Sequence, residues 1–536
     1  MTRALTVKRV ATTLAAPLLA AGLAAGVVVA GAGPASSAPT TLTAANFHLQ
    51  QTAYSGVIGQ LDTLLPHASV GQVLDSANRA TASCSAHAPA LLASFCWRSD
   101  DEGSLDWYPQ GITTSADATN DPNGLYQGRS AVLATWYWHA GGTEKGDRIA
   151  FVDYSNPAAP AYRFVLLVDP YTDSAGKPNF RPVLDSDGTS LHAGGLLWYG
   201  HYLYVPDTWG GFRVFDLDHL WQVTTGDETK IGRQSDGTYQ ALNYAYALPE
   251  AFRFTASVAG GYAKERFSAV SLDRTSGGGE SIVVPEYNTG TSDTHRVIRY
   301  PADPSTSLLG PAGSDGLVHA TEAYETGLLN VQGAACVRGR FFTSASYTTS
   351  SAKYGTLGTF TRGAGPTQFV NTLQPYPEDL SYAAYDDALW SLSEHPGSRA
   401  VYAMRAGLLG WPTVSDGDTG IRVRTVQYLL NAARNAGLTV DGDFGAKTLT
   451  AVKGFQSANG LAADGVVGPG TWAKLVPALS AGATGDAVRA LQDQLGITVS
   501  GTFDQAAADA VTAFQKAHGL PVSGGADADT WKALIL

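Results

Sequence analysis

Three acids recur at one place in a repeating strand pattern: Asp207 closes "YVPD", Glu286 closes "VVPE" and Glu394 closes "SLSE". A second polar set stands where a neighbouring strand of each repeat begins: Tyr108, Gln110, His192, Gln332, Glu378 and Asp379. If both sets lie at one end of the strands, Asp207, Glu286, Glu394, His192, Glu378 and Asp379 gather on one face. Paired carboxylates cleave glycosidic bonds, one as acid and the other as base or nucleophile, and they also hold hard cations such as calcium. Repeated acids at turns equally well accept backbone hydrogen bonds and fix the loop. Trp136-Tyr137-Trp138 can stack on sugar rings, although in an alternating strand at least one of the three is core. His139, His201, His295 and His395 are scattered over loops and read as surface residues, so no metal site is expected from them.

Cys336, in "GAACVRGRFF", raises a different chemistry. Cys-Val-Arg resembles the end of the nucleophile motif of a cell-wall transpeptidase family, which places Ser-x-Gly before the cysteine. Here those positions are Gly333 and Ala335. A nucleophilic thiol needs a nearby base or a helix N-terminus to lower its pKa, and a mid-strand position offers neither. Alignment of the strand repeats sets Gly339 beside Gly200 and Asp387, and Cys336 beside Leu197 and Ala384, so Cys336 reads as a small buried hydrophobe. No Gly-Lys-Ser/Thr phosphate loop, His-Glu-x-x-His helix or Gly-x-Ser-x-Gly elbow occurs.

The elements that carry these residues are strands. Glycine is abundant (60) and methionine nearly absent (2), with 24 tyrosines, a composition that favours strands and tight turns. "GGLLWYGHYLYVPDTWGGFRVFDL", "GAACVRGRFFTSASYTTSSAKYGTLGTFT" and "SYAAYDDALWSLSEHPGSRAVYAM" each read as strand, turn, strand, loop, strand. Two looser copies surround Trp136 and Val283. Five such units predict an all-β propeller over 102–405, most simply with five blades, a pair of β-sandwiches being the alternative. Residues 39–101 look partly helical and suit a cap or brace.

The end of the chain repeats differently. "VRTVQYLLNAARNAGLTVDGDFGAKTLTAVKGFQSANGLAADGVVGPGTWAKL" aligns with "VRALQDQLGITVSGTFDQAAADAVTAFQKAHGLPVSGGADADTWKAL". Gln427 falls on Gln492, Phe444 on Phe503, Phe455-Gln456 on Phe514-Gln515 and Trp472 on Trp531. Apolar spacing predicts three short helices per copy. The "DGDFGAKT" turn, "AVKGFQ", "DGVVG" and "TW" resemble the peptidoglycan-binding domain family. That resemblance implies two all-α three-helix bundles, 417–477 and 478–536, joined to the β part by a Pro/Gly-rich linker at 406–416. It also implies a groove for wall glycopeptide bordered by the exposed polar positions Asp441, Asp443, Lys447 and Thr448. The second copy departs from the pattern, with Ser500 for Asp441, Asp504 for Gly445 and Ala507 for Thr448, and suits packing support.

The first 38 residues open with Arg3, Lys8 and Arg9, continue as a long Ala/Leu/Val stretch and end in Ser-Ser-Ala, the pattern of a secretory signal peptide cleaved after Ala38. Export permits a disulfide, expected between Cys84 and Cys96. A net charge of −12 without a basic patch argues against nucleic acid. No later stretch spans a bilayer. The expected molecule is a secreted, wall-associated monomer without a cofactor, calcium aside, whose partners are peptidoglycan and, for the β part, a polysaccharide.

Overall fold

The structure is a computed structural model that describes residues 38–290, 293–346 and 353–536. Residues 1–37 of the expected signal peptide lie outside the described residues. No helix among the described residues is long and apolar enough to cross a membrane.

The N-terminal part is mostly β. Its strands form successive antiparallel meanders in chain order. The first comprises Trp107–Thr114, Ala131–Trp138, Asp147–Asp153 and Ala161–Thr172, and the second Leu197–Tyr199, Tyr202–Asp207, Gly211–Asp216 and Tyr246–Val258. The third runs through Ser271–Asp273, Ser281–Pro285, Arg296–Asp303 and Glu322–Glu325. The fourth is Val331–Val337, Arg340–Ala345, Gly355–Thr361 and Ala364–Leu373. The last takes Pro377–Ala383, Ala388–Ser393 and Ala400–Arg405 from this region, and its outer strand is Leu91–Cys96 from far earlier in the chain.

These meanders stand side by side around a centre, with their first strands in mutual contact, and the arrangement nearly closes on itself. The contacts there are backbone on backbone. A Cβ on Gly111 would come within 2.2 Å of the Gly195 carbonyl carbon, one on Gly195 within 2.6 Å of Val270 N, and one on Gly333 within 2.8 Å of the Asp379 Cα. Asp379 fills the centre where a fourth glycine would stand. Its Oδ2 accepts from Ile112 N (3.2 Å) and Leu196 N (2.9 Å), and its Oδ1 from Leu380 N (2.9 Å), with Val270 N as a further donor. One buried carboxylate thus ties four of the meanders together, satisfying amides that the close approach leaves without a ladder partner.

Residues 40–96 run round the outside as a strap. Thr40–Thr41 pairs with the third meander, Phe47–Gln51 with the second, Arg79–Ala80 with the first and Leu91–Cys96 with the last. Two short helices, Ile58–Asp62 and Val70–Asp75, interrupt it, the second begun by a capping box of Ser69 and Gln72. Cys84 and Cys96 form a disulfide behind the closing strand.

Cys336 is fully buried among Phe341, Phe360, Val283 and Tyr324, and burial raises its thiol pKa. The pairing of Val337 with Arg340 and of Tyr199 with Tyr202 sets Cys336 level with Trp198, one residue from the alignment read in the sequence. The turn Arg338-Gly339 carries two positive-φ residues against one in Gly200-His201, which is why glycine alignment misplaced the register.

The C-terminal region is helical: Ile421–Arg434, Ala446–Ala458 and Pro469–Leu475 in the first unit, Asp486–Gln494, Gln505–His518 and Ala528–Ile535 in the second. A shared core containing Leu430, Phe444, Trp472, Leu491, Phe503 and Trp531 joins the units, and Arg424 clasps Asp493 across them (2.8 Å). The junction 406–416 is packed. Trp411 is 2% exposed and stacks on Trp472. Lys532 of the second unit lies over Trp411 and donates to Gly407 O at 2.9 Å, while His518 meets Thr361 (2.8 Å) and Asp529 faces Arg338 (3.6 Å). The second unit is therefore seated on the fourth meander.

Candidate functional site

Tyr108, Gln110, Gln332 and Glu378 lie towards the beginnings of first strands, and His192 and Tyr376 precede theirs in the chain. The second-strand ends Tyr137, Asp207, Glu286 and Glu394 lie at the end where those first strands begin. The recurrent acids then divide. Asp207 accepts from Arg213 Nε (2.7 Å) and Gly210 N (2.9 Å). Glu286 takes both Arg296 Nε and Nη2 (2.6 Å each) and Arg266 N (2.9 Å), in a pair whose side chains are almost wholly buried. Both are paired and fix loops.

Glu394 differs. The arginine that begins its next strand, Arg399, donates its Nε to the Glu394 backbone oxygen (2.6 Å) and its Nη1 to Asp101 O (2.7 Å). The Glu394 carboxylate meets Tyr137 OH (3.2 Å) and His395 Nε2 (3.3 Å), with the Gln110 side chain as a further partner. Burial raises its pKa to about 6, against the opposing pull of Tyr137 and Arg399. Glu378 lies close by, 1% exposed, with Gln332 Nε2 at 3.2 Å. Burial, then the charges of Glu394 and Asp379, push its pKa well up. Burial also raises Asp379, opposed by its four backbone donors.

Aromatic and imidazole rings surround the two glutamates. Tyr137 lies 4.8 Å from the His192 ring and its OH is 3.4 Å from His139 Nδ1. Tyr108 packs on His139 (4.6 Å), and Tyr376 on His395 (3.8 Å). His192 is solvent-exposed, yet enough protein surrounds it for desolvation to lower its pKa, with His139 adding to the effect. The arrangement offers one glutamate whose pKa is pushed well up and one that titrates near 6, beside an imidazole whose pKa is lowered, which is the separation of acidities that acid–base chemistry uses. It equally provides hydrogen-bond partners and ring faces for a polyhydroxylated ligand.

Glu378 thus feels the charges of Glu394 and Asp379, and His192 packs on Tyr137, the hydroxyl partner of Glu394. Asp207 and Glu286 stand at matching positions with their carboxylates engaged by arginine. Sequence reasoning left out Tyr137 as a partner of Glu394; His139 and His395 lie on loops as read, and both pack on Tyr108. The level pairing of Tyr137 with Tyr108, one residue from Trp136 in the core, is what aims it inward.

In the first C-terminal unit, Asp441 and Asp443 are exposed in the turn and Lys447 begins the second helix. Lys447, Arg434, Leu438, Thr450 and Ala451 border a surface groove of about 640 Å³. Thr448, expected among the exposed positions, is 2% exposed and its hydroxyl meets Gln427 Nε2 at 3.3 Å. The helical turn that presents Lys447 outward turns Thr448 inward. Gln427 is the centre of this device: it also donates to Asp441 Oδ1 (2.7 Å) and Asp443 O (3.1 Å) and accepts from Gly442 N (2.9 Å). Gln456 does the same for Asp464, Gly465 and Thr471, and Gln492 and Gln515 for the corresponding turns of the second unit. Asp441 is therefore a turn-holding residue in the first place.

Comparison with known proteins bears out the resemblance in the tail. Segments 419–475 and 484–534 match the family described as "Putative peptidoglycan binding domain". An uncharacterized protein in the bpoA1 3' region of Kitasatospora aureofaciens is 49% identical over 74 residues, 14% of this chain and 63% of that protein. The zinc D-Ala-D-Ala carboxypeptidase of Streptomyces albus G is 46% identical over 65 residues, 12% of this chain and 26% of the enzyme. The chain thus spans less than two thirds of the length of these curated relatives. A solved peptidoglycan-binding protein from Clostridioides difficile, in complex with glutamine hydroxamate, is 22% identical over 25% of this chain and 70% of its own, with a TM-score of 0.12.

Proposed function

We propose that the C-terminal units hold this protein on peptidoglycan outside the cell membrane, and that the β part is a five-bladed propeller presenting a ligand-binding face. The match of both tail segments to one wall-binding family carries the first half. The groove beside Lys447 and Arg434 is the contact surface of the first unit, and the second unit, seated on the fourth meander, sets its orientation. A cleaved leader at 1–38 and the Cys84–Cys96 bridge fit an oxidising, extracellular setting. The test is sedimentation of the full chain with purified sacculi, beside a Lys447→Glu, Arg434→Glu double variant. Pelleting of the wild type and at least about tenfold weaker retention of the variant, or roughly 1.4 kcal/mol, support the reading. A wild-type chain that stays in the supernatant ends it.

A second reading makes the β part a polysaccharide hydrolase or lyase. Its specific support is that the carboxylates of Glu378 and Glu394, unlike those of Asp207 and Glu286, carry no arginine. In that reading the protonated glutamate donates to a leaving oxygen and the ionised one takes a proton or activates water. Assay of wall and plant polysaccharides with wild type and Glu394→Gln decides it. Turnover that is absent in the wild type, or unaffected by the substitution, removes the enzymatic reading and leaves the binding one.

A further inference from the structure

At the opposite end of the second meander from His192, ligating side chains converge that no role above uses. His201 lies in the turn between Leu197–Tyr199 and Tyr202–Asp207, Asp216 ends Gly211–Asp216, and Asp218 lies in the short helical turn Leu217–His219. One nitrogen of His201 and one carboxylate oxygen from each aspartate lie within 4.8 Å of one another. Ligand atoms around one ion with bonds of about 2.0–2.2 Å stand roughly 3–4 Å apart, so a small adjustment completes the set. His219 approaches from the side, its Nε2 3.9 Å from Asp216 Oδ2 and its Nδ1 2.8 Å from Asp62 Oδ2. Asp62 in turn accepts from Trp221 Nε1 (2.8 Å) and lies 3.1 Å from His67 Nε2. A carboxylate behind an imidazole is the outer layer by which proteins orient a metal ligand.

The charge balance is a separate observation. Asp216 is 5% exposed. Three other buried acids of these sheets have an arginine, Asp207 with Arg213, Asp273 with Arg299 and Glu286 with Arg296, whereas Glu378 and Asp379 are buried without one. Among the described residues no lysine or arginine pairs with Asp62, Asp216 or Asp218, and the ionic partners of Asp62 and Asp216 are histidines. Tyr54 OH donates to Asp216 Oδ2 at 2.8 Å and Asp218 N to its Oδ1 at 3.0 Å, but neither brings a positive charge. A buried carboxylate without a counter-charge is costly, and a divalent cation supplies what the arginines supply elsewhere. Asp218 is exposed and His201 half-buried, which leaves an entry path and room for water ligands.

We propose that His201, Asp216 and Asp218, with His219 beside them, bind a divalent transition-metal ion. Mixed imidazole and carboxylate donors select zinc-class ions over calcium, which takes oxygen ligands alone. Because Asp62 ends a strap helix and the other residues belong to the second meander, the ion fastens the strap to the sheet. The test is isothermal titration of chelator-treated full-length protein with Zn²⁺, together with thermal unfolding, for wild type, His201→Ala and Asp218→Asn. Expected are one Zn²⁺ per chain, a higher Tm with Zn²⁺ in the wild type, and affinity at least about tenfold weaker in both variants. No binding by the wild type overturns the proposal, as does binding that both substitutions leave unchanged. Both substituted side chains are at least partly solvent-exposed, and circular dichroism of the metal-free variants establishes that they fold.

Discussion

Arg399 donates to the backbone oxygen of Glu394 and not to its carboxylate, whereas Arg213 and Arg296 each donate to the carboxylate of the acid at the matching strand end. One sequence position thus does two jobs. Where the arginine takes the carboxylate, the acid is part of the loop's frame. Where it takes the main chain, the frame is built without the carboxylate, and that carboxylate meets Tyr137 and His395 instead.

The first expectation follows from that division. Glu286→Gln leaves Arg296 buried without its counter-charge and should cost about 3–5 kcal/mol. Glu394→Gln keeps the hydrogen-bonding capacity toward Tyr137 and should change stability by less than about 1 kcal/mol. Urea unfolding of the two variants measures both. Equal destabilisation would assign Glu394 to the frame as well. If the β part turns over a substrate, its rate should change through pH 6, where Glu394 titrates, and Glu394→Gln should remove that limb.

Glu378 makes a prediction about pH. Its folded-state pKa is raised, so between its unfolded value and the raised one the native state holds a proton that the unfolded chain releases. Stability from this group is complete below the unfolded pKa of about 4.3. It falls as pH rises toward the folded value. Glu378→Gln cannot ionise. The variant should therefore gain stability relative to wild type on going from pH 5 to pH 8, read as a difference in Tm that grows with pH. A difference independent of pH would show that Glu378 ionises as freely in the fold as out of it.

Much of this was legible in the sequence, for physical reasons that also explain the failures. The tail repeat is carried by Gln427, Phe444 and Trp472 and their counterparts, whose burial fixes both type and spacing. The alternation of apolar residues gave the strands, and two cysteines twelve residues apart gave the disulfide. What was not legible depends on partners distant in the chain. Leu91–Cys96 closes the last meander against Ala400–Arg405, and nothing local to residues 91–96 says so. The same holds for Tyr137, whose partner Glu394 is 257 residues away, and for Thr448, whose burial is set by a glutamine on the preceding helix.

Cys336 should be inert in the native protein. It is fully buried, packed on Phe341, and its thiolate is disfavoured by desolvation and by Asp273. Iodoacetamide at pH 8 should label it only after denaturation, and Cys336→Ala should fold. Rapid labelling of the native chain would restore the nucleophile reading.

Gln427 should matter more to the first unit than any charge on its surface. Gln427→Leu leaves the Gly442 N–H without its acceptor and removes a donor from Asp441, Asp443 and Thr448. Each unmet buried group costs about 1–3 kcal/mol, so a loss of roughly 3 kcal/mol is expected, together with loss of sacculus binding. Lys447→Ala should instead weaken binding with the melting transition unchanged.

The Cys84–Cys96 bridge should govern how the ring opens. Cys96 belongs to the closing strand and Cys84 to the strap just before it, so the bridge ties the end of the strand that pairs with Ala400–Arg405 to the strap segment behind it. A closed loop of this size contributes about 3 kcal/mol through the unfolded state. That figure alone would lower the stability of a Cys84→Ser, Cys96→Ser variant uniformly. The position of the bridge predicts more. Losing it should let the closing strand detach before the rest of the sheet, because Leu91 and Leu92 at its start are exposed and contribute little burial. Hydrogen exchange should then speed up at Ala400–Arg405 by a larger factor than in the first and third meanders. Uniform acceleration across all of them would mean that the ring opens as one unit, with the bridge acting on the unfolded chain alone.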